Sequence, residues 1–526
     1  MMAERNYLQA ISDHIVVFDG GMGATLEMFD LTQEDYGGLL GKCHEALVLN
    51  RPDVIEGVHT SMIEAGAEVV ETDTFQASRI KLEEWGLEDH TEEINVKAAE
   101  IARKAAGPDR FVAGSIGPTG HLPASDDPTL GNIRFPELVT VFTEQASGLV
   151  RGGSDLIIIE TAQDILEVKA AIFGARAAFE EVGRSVPIQV SVSLLPNGGK
   201  MLLGTDIQAV LTTLEALKVD VIGLNCSTGP EDMRDAIRYL GENSTRPVHC
   251  IPNAGLPLQG PDGETIFPEK PEPLAKTLGE FVERYGVGVV GGCCGTTPEH
   301  IKAISERVKD LKPGPRPEPG EIQVSSMMTS TALVQEPTPT MVGERVNSQG
   351  SRRAKELLLA DDYDTLTQVA EDQVEGGAHV LDVCVALTER QDEDEQMRQV
   401  VKRISLTQPA PIQIDSTEPD VIKTALEQIP GRAIVNSVNL EAGRDKLDTV
   451  VPLAKAHGAC LIALTIDEVG MAKTAEDKLR IAERLVDFAC TRHGLPQSDL
   501  LIDPLTFTIA TGNEDDRKLG LWTLEG

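Results

Sequence analysis

The chain of 526 residues is too long for one ordinary hydrophobic core, so its length predicts two or more domains. Its 47 basic and 84 acidic residues give a formal charge of −37, which argues against a nucleic-acid or anionic-membrane partner. The N-terminus lacks the apolar core of a signal peptide, and no apolar run approaches the roughly 20 residues that span a bilayer. We therefore expect a cytoplasmic protein, whose eight cysteines are ligands, catalysts or core residues rather than disulfides.

In the first part of the chain, a short β-branched run, a polar or glycine-rich corner and a longer amphipathic stretch alternate eight times. The candidate strands are HIVVFDGG (14–21), AEVVETDTF (67–75), RFVAGSIGPTG (110–120), DLIIIETA (155–162), PIQVSVSL (187–194), DVIGLNCSTGP (220–230), PVHCIPNAG (247–255) and VGVVGGCCG (287–295). The stretches between them, such as residues 51–66, have the apolar spacing of helices. Eight strand–helix units predict an α/β fold, a closed (β/α)8 or TIM barrel, over residues 1–310.

Residues 311–340 are rich in Pro, Ser and Thr and show little periodicity, so we interpret them as a linker. A second series of candidate strands follows: TMVGERVNS (340–348), AHVLDVCVA (378–386), PIQIDSTEP (411–419), AIVNSVNLE (433–441), ACLIALTIDEVG (459–470) and DLLIDPLTFTI (499–509). They predict a second TIM barrel over residues 341–526 that lacks its last two strands. Because proteins avoid open sheet edges, we expect this barrel to be cut short or completed by something absent from the chain.

Three cysteines stand at strand ends of the first predicted barrel. Cys226 follows the sixth strand, and Cys293 and Cys294 are neighbours on a glycine-rich corner after the eighth. Because the strands of such a barrel end at one mouth, the sulfurs are expected to meet there, where three thiolates with an open fourth position make a catalytic zinc site. A thiol that takes that position becomes a thiolate without a strong base. For a single cysteine such as Cys226, inert packing is the commoner alternative.

Other strand ends of the first barrel carry groups that could bind a substrate. Backbone amides of the glycine-rich corner after the first strand could approach a carboxylate, although a tight turn also needs glycine. Glu160 could hold an ammonium group, or it could be a solvated loop carboxylate. The candidate substrate-binding residues are Asp19, Gly20, Gly21, Glu160, Thr161 and Asn225.

Residues 10–310 resemble the homocysteine S-methyltransferase domain. The segments DGGMGATL, ETDTF, GSIGPTG, IIETAQD, GLNCSTGP, PNAGLP and GGCCGTTPEHI occur in the order of that family. The resemblance implies that Cys226, Cys293 and Cys294 bind zinc and that the zinc binds homocysteine.

Residues 341–526 resemble the pterin-binding domain of the cobalamin-dependent methionine synthase family, through GERVNSQGSRRAKELL, LDVCVA, IDSTEPDVIKTAL, VNSVNLE and LLIDPLTF. The resemblance implies a folate pocket lined by Glu344, Asn347, Asp382, Asp415, Asn436 and Asp503. Two features depart from the family. The first is Cys384, which stands where the family usually has Asn. The second is that the last two strands and the cobalamin-binding and reactivation modules are missing. The chain therefore resembles the front half of such an enzyme, as a fragment, a truncated product or a split enzyme.

The resemblance implies a methyltransferase that moves a methyl group from 5-methyltetrahydrofolate, through cobalamin, to zinc-activated homocysteine, giving methionine and tetrahydrofolate. Methylcobalamin would be carried by a corrinoid module or protein outside this chain. Two alternatives remain open. The first is a homocysteine S-methyltransferase that uses S-methylmethionine or betaine and has an idle second domain, and the second is a non-catalytic zinc- or thiol-binding module.

Overall fold

The computed structural model describes residues 6–41, 43–196, 198–260, 265–506 and 518–526. The chain divides into two compact units, Met1–Gly320 and Glu321–Gly526. No helix in the described ranges is both long enough and apolar enough to cross a lipid bilayer.

The first unit is built around eight parallel strands. They are β1 (Val16–Val17), β2 (Val69–Glu71), β3 (Phe111–Ile116), β4 (Leu156–Ala162), β5 (Ile188–Val192), β6 (Val221–Asn225), β7 (Val248–Ile251) and β8 (Val289–Val290). Their order in the sheet is β1, β8, β7, β6, β5, β4, β3, β2. The sheet closes on itself, because Phe18 bridges to Val69 and the Asp19 N–H donates to the Val69 carbonyl at 3.0 Å. The predicted eight-stranded barrel is confirmed.

Helices alternate with these strands. The main ones are Pro52–Ala65, Thr91–Ala106, Phe135–Arg151, Ile165–Val182, Ile207–Ala216, Pro230–Asn243, Pro271–Tyr285 and Pro298–Val308, with shorter helices at Tyr7–Asp13, Met22–Leu26, Leu47–Asn50 and Arg79–Glu83. Local sequence sets their ends. The Asp164 side chain, for example, accepts from the backbone N–H groups of Leu166 and Glu167 at the start of one helix, which ends at Gly183 with a left-handed φ of 73°.

The interior of the barrel is closed at the end where its strands begin. Tyr7, on the first helix, packs against Val16, Phe111 and Leu156 among others, and its hydroxyl donates to Gln189 Oε1 at 2.6 Å. The strands are buried on both faces, which explains their continuous apolar runs. The opposite end, where the strands finish, is left for the loops that carry the candidate site.

The second unit contains a sheet of six parallel strands in sequential order. They are β9 (Val342–Asn347), β10 (Val380–Cys384), β11 (Ile412–Asp415), β12 (Ile434–Val438), β13 (Cys460–Leu464) and β14 (Leu500–Asp503). All six predicted strands are present, although residues 507–509 of the last predicted segment lie outside the described residues. The helices of this unit are Arg352–Leu359, Tyr363–Glu375, Glu393–Thr407, Pro419–Gln428, Asp445–Ala456, Ala475–Val486 and Leu519–Glu525.

Part of the segment interpreted as a linker is an antiparallel hairpin, Gln323–Ser325 with Ser330–Ala332, which belongs to the second unit. Val324 packs against Val380, Ile434 and Cys460, the first residues of three strands. Arg432 fixes the hairpin from the sheet side, because its guanidinium donates to the Gln323 carbonyl at 2.9 Å. The hairpin therefore covers the end of the second sheet at which the strands begin.

Candidate metal and substrate sites

Three cysteine sulfurs meet where β6 and β8 end. Cys226 Sγ lies 3.7 Å from Cys294 Sγ, and Cys293 Sγ lies 4.0 Å from Cys294 Sγ. All three sulfurs are within 4.8 Å of one another, and they form the single group of three metal-ligating side chains this close in the part of the chain that the structure describes. The distances allow one ion to contact all three sulfurs.

A sharp turn after β6 brings Cys226 to this position. Cys226 and Ser227 both have left-handed backbones, with φ of 57° and 66°. Residues other than glycine adopt this conformation at a cost, and such residues are concentrated at functional sites. The turn is held because the Cys226 N–H donates to the Ile251 carbonyl at 3.2 Å and the Thr228 N–H donates to the Cys226 carbonyl at 2.7 Å.

The loop that carries the other two cysteines packs directly on the loop after β1. A Cβ atom on Gly21 would lie 2.7 Å from the carbonyl oxygen of Cys293, and one on Gly20 would lie 3.0 Å from Thr296 Oγ1. The Gly21 N–H donates to Thr296 Oγ1 at 3.0 Å, so this amide already has a partner within the protein. Close packing between the two loops therefore favours glycine at these positions, in addition to the substrate role predicted for Gly20 and Gly21.

The three thiols share their protons unequally. Hydrogen bonds from Cys293 and Cys294 lower the pKa of Cys226 to about 3, whereas hydrogen bonds with Cys226 and Cys294 raise the pKa of Cys293 well above its ordinary value. Because cysteine binds a metal as the thiolate, an ion held by these three sulfurs would displace their thiol protons, and its affinity would depend on pH. A set of three soft sulfur ligands fits zinc.

A buried hydrogen-bonded network lies beside the sulfurs. Glu160, which is 6% exposed, accepts from Ser115 Oγ at 2.5 Å and from Asn225 Nδ2 at 2.8 Å. Asn225 Oδ1 accepts from Ser191 Oγ at 2.9 Å and from the Thr161 N–H at 2.8 Å, and Asn225 Nδ2 lies 3.9 Å from Cys293 Sγ. Burial raises the pKa of Glu160 to about 7, and the charge on Cys226 adds to the effect.

Two more carboxyl groups adjoin this network. Asp19 Oδ2 accepts from the Glu71 N–H at 3.0 Å. Burial raises the pKa of both Asp19 and Glu71, and the charge on Glu160 raises them further. This concentration of acidic groups next to the sulfurs favours a bound cation such as an ammonium group.

Sequence reasoning missed the two serines that orient Glu160 and Asn225. Ser115 and Ser191 lie in strands β3 and β5 and are fully buried. The signal was present in FVAGSI and IQVSV, where a polar residue interrupts an otherwise apolar strand. A buried hydroxyl needs a partner, which here is the acid or amide of a neighbouring strand.

In the second unit, three of the predicted pocket residues form one cluster. Asn347 Nδ2 donates to Asp382 Oδ2 and to Asp415 Oδ2, each at 2.7 Å. Gln413 Nε2 donates to the other oxygen of Asp382 at 2.6 Å. Burial, followed by the charge on Asp382, raises the pKa of Asp415. The ends of β9 and β11 are therefore joined through polar side chains.

The other predicted pocket residues lie apart from these hydrogen bonds within the described ranges. Glu344 is exposed on β9, although its negative charge helps to raise the pKa of Asp415. Asn436 is level with Asp415 in the neighbouring strand, and Asp503 Oδ1 accepts from the Leu505 N–H at 2.8 Å. Cys384 is buried and accepts from Ser348 Oγ at 3.7 Å.

Comparisons with known proteins cover both units. The sequence model of the homocysteine S-methyltransferase family matches residues 16–308, and that of the pterin binding enzyme family matches residues 343–526. Methionine synthase of Mycobacterium tuberculosis is 41% identical over 531 residues, which cover 99% of this chain and 44% of that protein. The enzyme of the same name from Mycobacterium leprae is 40% identical over 536 residues, which again cover 99% of this chain and 44% of that protein. The chain thus spans less than half the length of these relatives.

Among solved structures, the oxidized form of the homocysteine methyltransferase MmuM from Escherichia coli is 25% identical, with a TM-score of 0.46. The match covers 58% of this chain and 100% of that one. The sequence match over residues 16–308 spans more than half of the chain. On that ground the chain belongs to the homocysteine S-methyltransferase family, a family of methyl-transferring enzymes.

Proposed function

We propose that this chain methylates homocysteine with a methyl group from 5-methyltetrahydrofolate, giving methionine and tetrahydrofolate. In this proposal cobalamin, carried by a corrinoid module or protein outside the chain, is the methyl carrier between the two units. The observation that carries the proposal is the convergence of the Cys226, Cys293 and Cys294 sulfurs at the mouth of the first barrel. The match of residues 343–526 to pterin binding enzymes supports the folate donor.

Cys226, Cys293 and Cys294 would hold zinc. A zinc ion bound there supplies the positive charge that keeps a substrate thiol ionised at neutral pH, although the pKa of a free thiol is about 8.5. Three protein sulfurs leave the fourth ligand position for the substrate. Asn225 Nδ2 lies 3.9 Å from Cys293 Sγ, and its two protons are donated to Glu160 Oε2 and Thr161 Oγ1 at 2.8 and 2.9 Å.

The amino-acid part of homocysteine would be held by the polar groups around the sulfurs. Glu160 has both carboxylate oxygens hydrogen-bonded, so its orientation is fixed before the ammonium group arrives. The other residues that we propose to line this part of the site are Asp19, Gly20, Gly21, Thr161 and Asn225.

The second unit would bind the pterin ring. Asn347, Asp382 and Asp415 present amide and carboxyl groups, which can donate and accept along the amide and amino edges of a pterin. Glu344, Asn436 and Asp503 would complete the pocket. Release of the methyl group requires a proton on N5, and a polar pocket with its bound water would supply it.

The test separates the two units. The Cys293→Ser variant is expected to lose zinc, measured by metal analysis, and to lose methionine formation from homocysteine and free methylcobalamin, while it still binds 5-methyltetrahydrofolate. Cys250→Ala is the matched control, because Cys250 is a buried cysteine of the same unit whose thiol contacts Met233 instead. Methionine formation that survives in Cys293→Ser would refute the proposal.

Donor assays separate the alternatives. Methionine formation from S-methylmethionine or betaine, with no binding of 5-methyltetrahydrofolate, would favour a methyltransferase with an idle second unit. Zinc and homocysteine binding without methyl transfer from any of these donors would favour a binding module.

A further inference from the structure

Lys446 lies where the second unit would admit its ligand. It is the second residue of the helix Asp445–Ala456, which follows β12. In a β/α unit, the first turn of such a helix lies at the end where the strands finish, which is also the end that carries Asp415. Lys446 is half-buried, and its charge interacts with those of Asp415 and Glu418. Neither the composition nor the motifs pointed to this residue.

Lys446 is half-buried, yet it forms no ion pair with any carboxylate among the described residues, whereas several other basic residues of the second unit do. Lys355 pairs with Glu389 at 2.8 Å, and Arg390 pairs with Asp392 at 2.5 Å. Arg352 and Arg353 are fully exposed, where water screens them. Burial lowers the pKa of Lys446, so its ammonium group has given up part of its hydration without gaining an ion-pair partner in the part of the chain that the structure describes.

The surroundings of Lys446 are otherwise acidic. The charges of Asp415 and Glu418 act on Lys446. Asp415 in turn shares the Asn347 amide nitrogen with Asp382, at 2.7 Å each, and the charge of Glu344 acts on it as well. The whole chain carries a formal charge of −37. An anionic ligand therefore needs a local cation to enter this pocket.

We infer that Lys446 binds a carboxylate of the benzoylglutamate part of a folate. The pocket then has a pterin end at Asn347, Asp382 and Asp415, and an anion-binding end at Lys446. This inference rests on the proposed folate function of the second unit. It assigns the glutamate end of the ligand, which the pterin-ring residues do not contact, to a residue of the following helix.

The test compares two ligands on the full 526-residue chain. Binding of 5-methyltetrahydrofolate and of a 5-methyltetrahydropterin without the benzoylglutamate part is measured by calorimetry for the wild type, Lys446→Ala, Lys446→Arg and Lys423→Ala. Lys423→Ala makes the same charge change on the exposed face of the preceding helix, where Lys423 Nζ lies 3.8 Å from Glu427 Oε1. Circular dichroism and thermal melting establish that each variant is folded.

Lys446→Ala is expected to weaken folate binding about tenfold and to leave binding of the truncated pterin within about twofold, because only the folate loses a charge-assisted contact. Lys446→Arg and Lys423→Ala should bind both ligands like the wild type. Added salt should weaken folate binding more in the wild type than in Lys446→Ala.

If Lys446→Ala weakened the binding of both ligands equally, Lys446 would act by compensating the charge of Asp415, and the inference would be wrong. No weakening of either ligand would also overturn it, while the folate function stands. If the wild type binds neither ligand, the proposed function of the second unit fails and the carboxylate site with it.

Discussion

Asn225 Nδ2 donates to Glu160 Oε2 at 2.8 Å and so joins the end of β6 to the end of β4 beside the three cysteine sulfurs. Asn225 is 1% exposed, and its side-chain oxygen Oδ1 accepts hydrogen bonds from Ser191 Oγ and from the Thr161 N–H. Every polar atom of this side chain therefore has a partner. The protein's own hydrogen bonds therefore orient this side chain, which is what a site needs if it is to position an amino acid against a metal-bound sulfur.

Replacing Asn225 by alanine should damage substrate binding more than metal binding. Asn225→Ala leaves Glu160 Oε2 and the Thr161 N–H without their partner, so we expect a loss of about 1–3 kcal/mol in unfolding free energy. The KM for homocysteine should rise at least about tenfold, because Glu160 is no longer held in place, while zinc content stays at the wild-type level. Steady-state kinetics and metal analysis check both parts.

Asn243→Ala serves as the control for this variant, because Asn243 is exposed and its amide donates to the Tyr239 carbonyl at the end of a helix. An unchanged KM for homocysteine in Asn225→Ala would show that the network is not part of the substrate site.

Glu167 should make the stability of the first unit depend on pH. It is buried and accepts from the Thr119 N–H at 2.8 Å and from Thr119 Oγ1 at 2.5 Å, and burial raises its pKa from an ordinary 4.5 to about 8. The folded state thus binds the proton more tightly than the unfolded state. The stabilisation that comes from protonated Glu167 is complete below pH 4.5. It falls by about 1.4 kcal/mol for each pH unit above that and is lost as the pH rises through about 8.

Glu167→Gln mimics the protonated acid and keeps an oxygen for Thr119. Urea unfolding should give the variant and the wild type similar stability at pH 5, and the variant should be the more stable at pH 8.5. Glu100→Gln, on the exposed face of another helix, should show no such difference between the two pH values. A wild type and Glu167→Gln with parallel pH profiles would contradict the prediction.

The barrel strands were predictable because burial on both faces leaves a direct mark in the sequence. The run DLIIIETA predicts a strand, and Leu156–Ala162 is one. The position of the three cysteines also follows from sequence, because strand ends in a closed barrel meet at one mouth whatever their separation along the chain.

The hairpin at 323–332 was not predictable, because it is stabilised by residues far away in the sequence. The Arg432 N–H donates to Ser325 Oγ at 2.9 Å, and Val324 is buried against the start of three strands. The Pro- and Ser-rich composition around it is typical of a linker and does not reveal that surface. For the same reason the electrostatic interaction between Lys446 and Asp415 could not be predicted from the sequence.

Arg432 should be essential to the stability of the second unit. Its guanidinium donates to Asp499 Oδ1 at 2.6 Å and to the carbonyls of Gln323 and Gly458, each at 2.9 Å. Arg432→Ala leaves the buried Asp499 carboxylate without its cationic partner, so we expect a loss of about 3–5 kcal/mol in unfolding free energy and faster proteolysis of residues 321–340. Arg352→Ala, which removes an exposed arginine paired with Glu356, should change neither. Equal proteolysis rates in the wild type and Arg432→Ala would mean that the hairpin is held by its apolar contacts alone.

Gly21→Ala should weaken metal binding, although Gly21 is not a ligand. The added Cβ would lie 2.7 Å from the Cys293 carbonyl oxygen, which is a backbone atom, so the loop that carries Cys293 and Cys294 must shift. A shift of that loop moves two of the three sulfurs away from Cys226, and zinc affinity, measured by competition with a chelator, should fall at least about tenfold, as it does when residues that support metal ligands are changed. Gly23→Ala is the control, because its Cβ would approach only the His44 side chain, at 3.3 Å. If Gly21→Ala keeps wild-type zinc affinity, contact between the two loops does not set the spacing of the sulfurs.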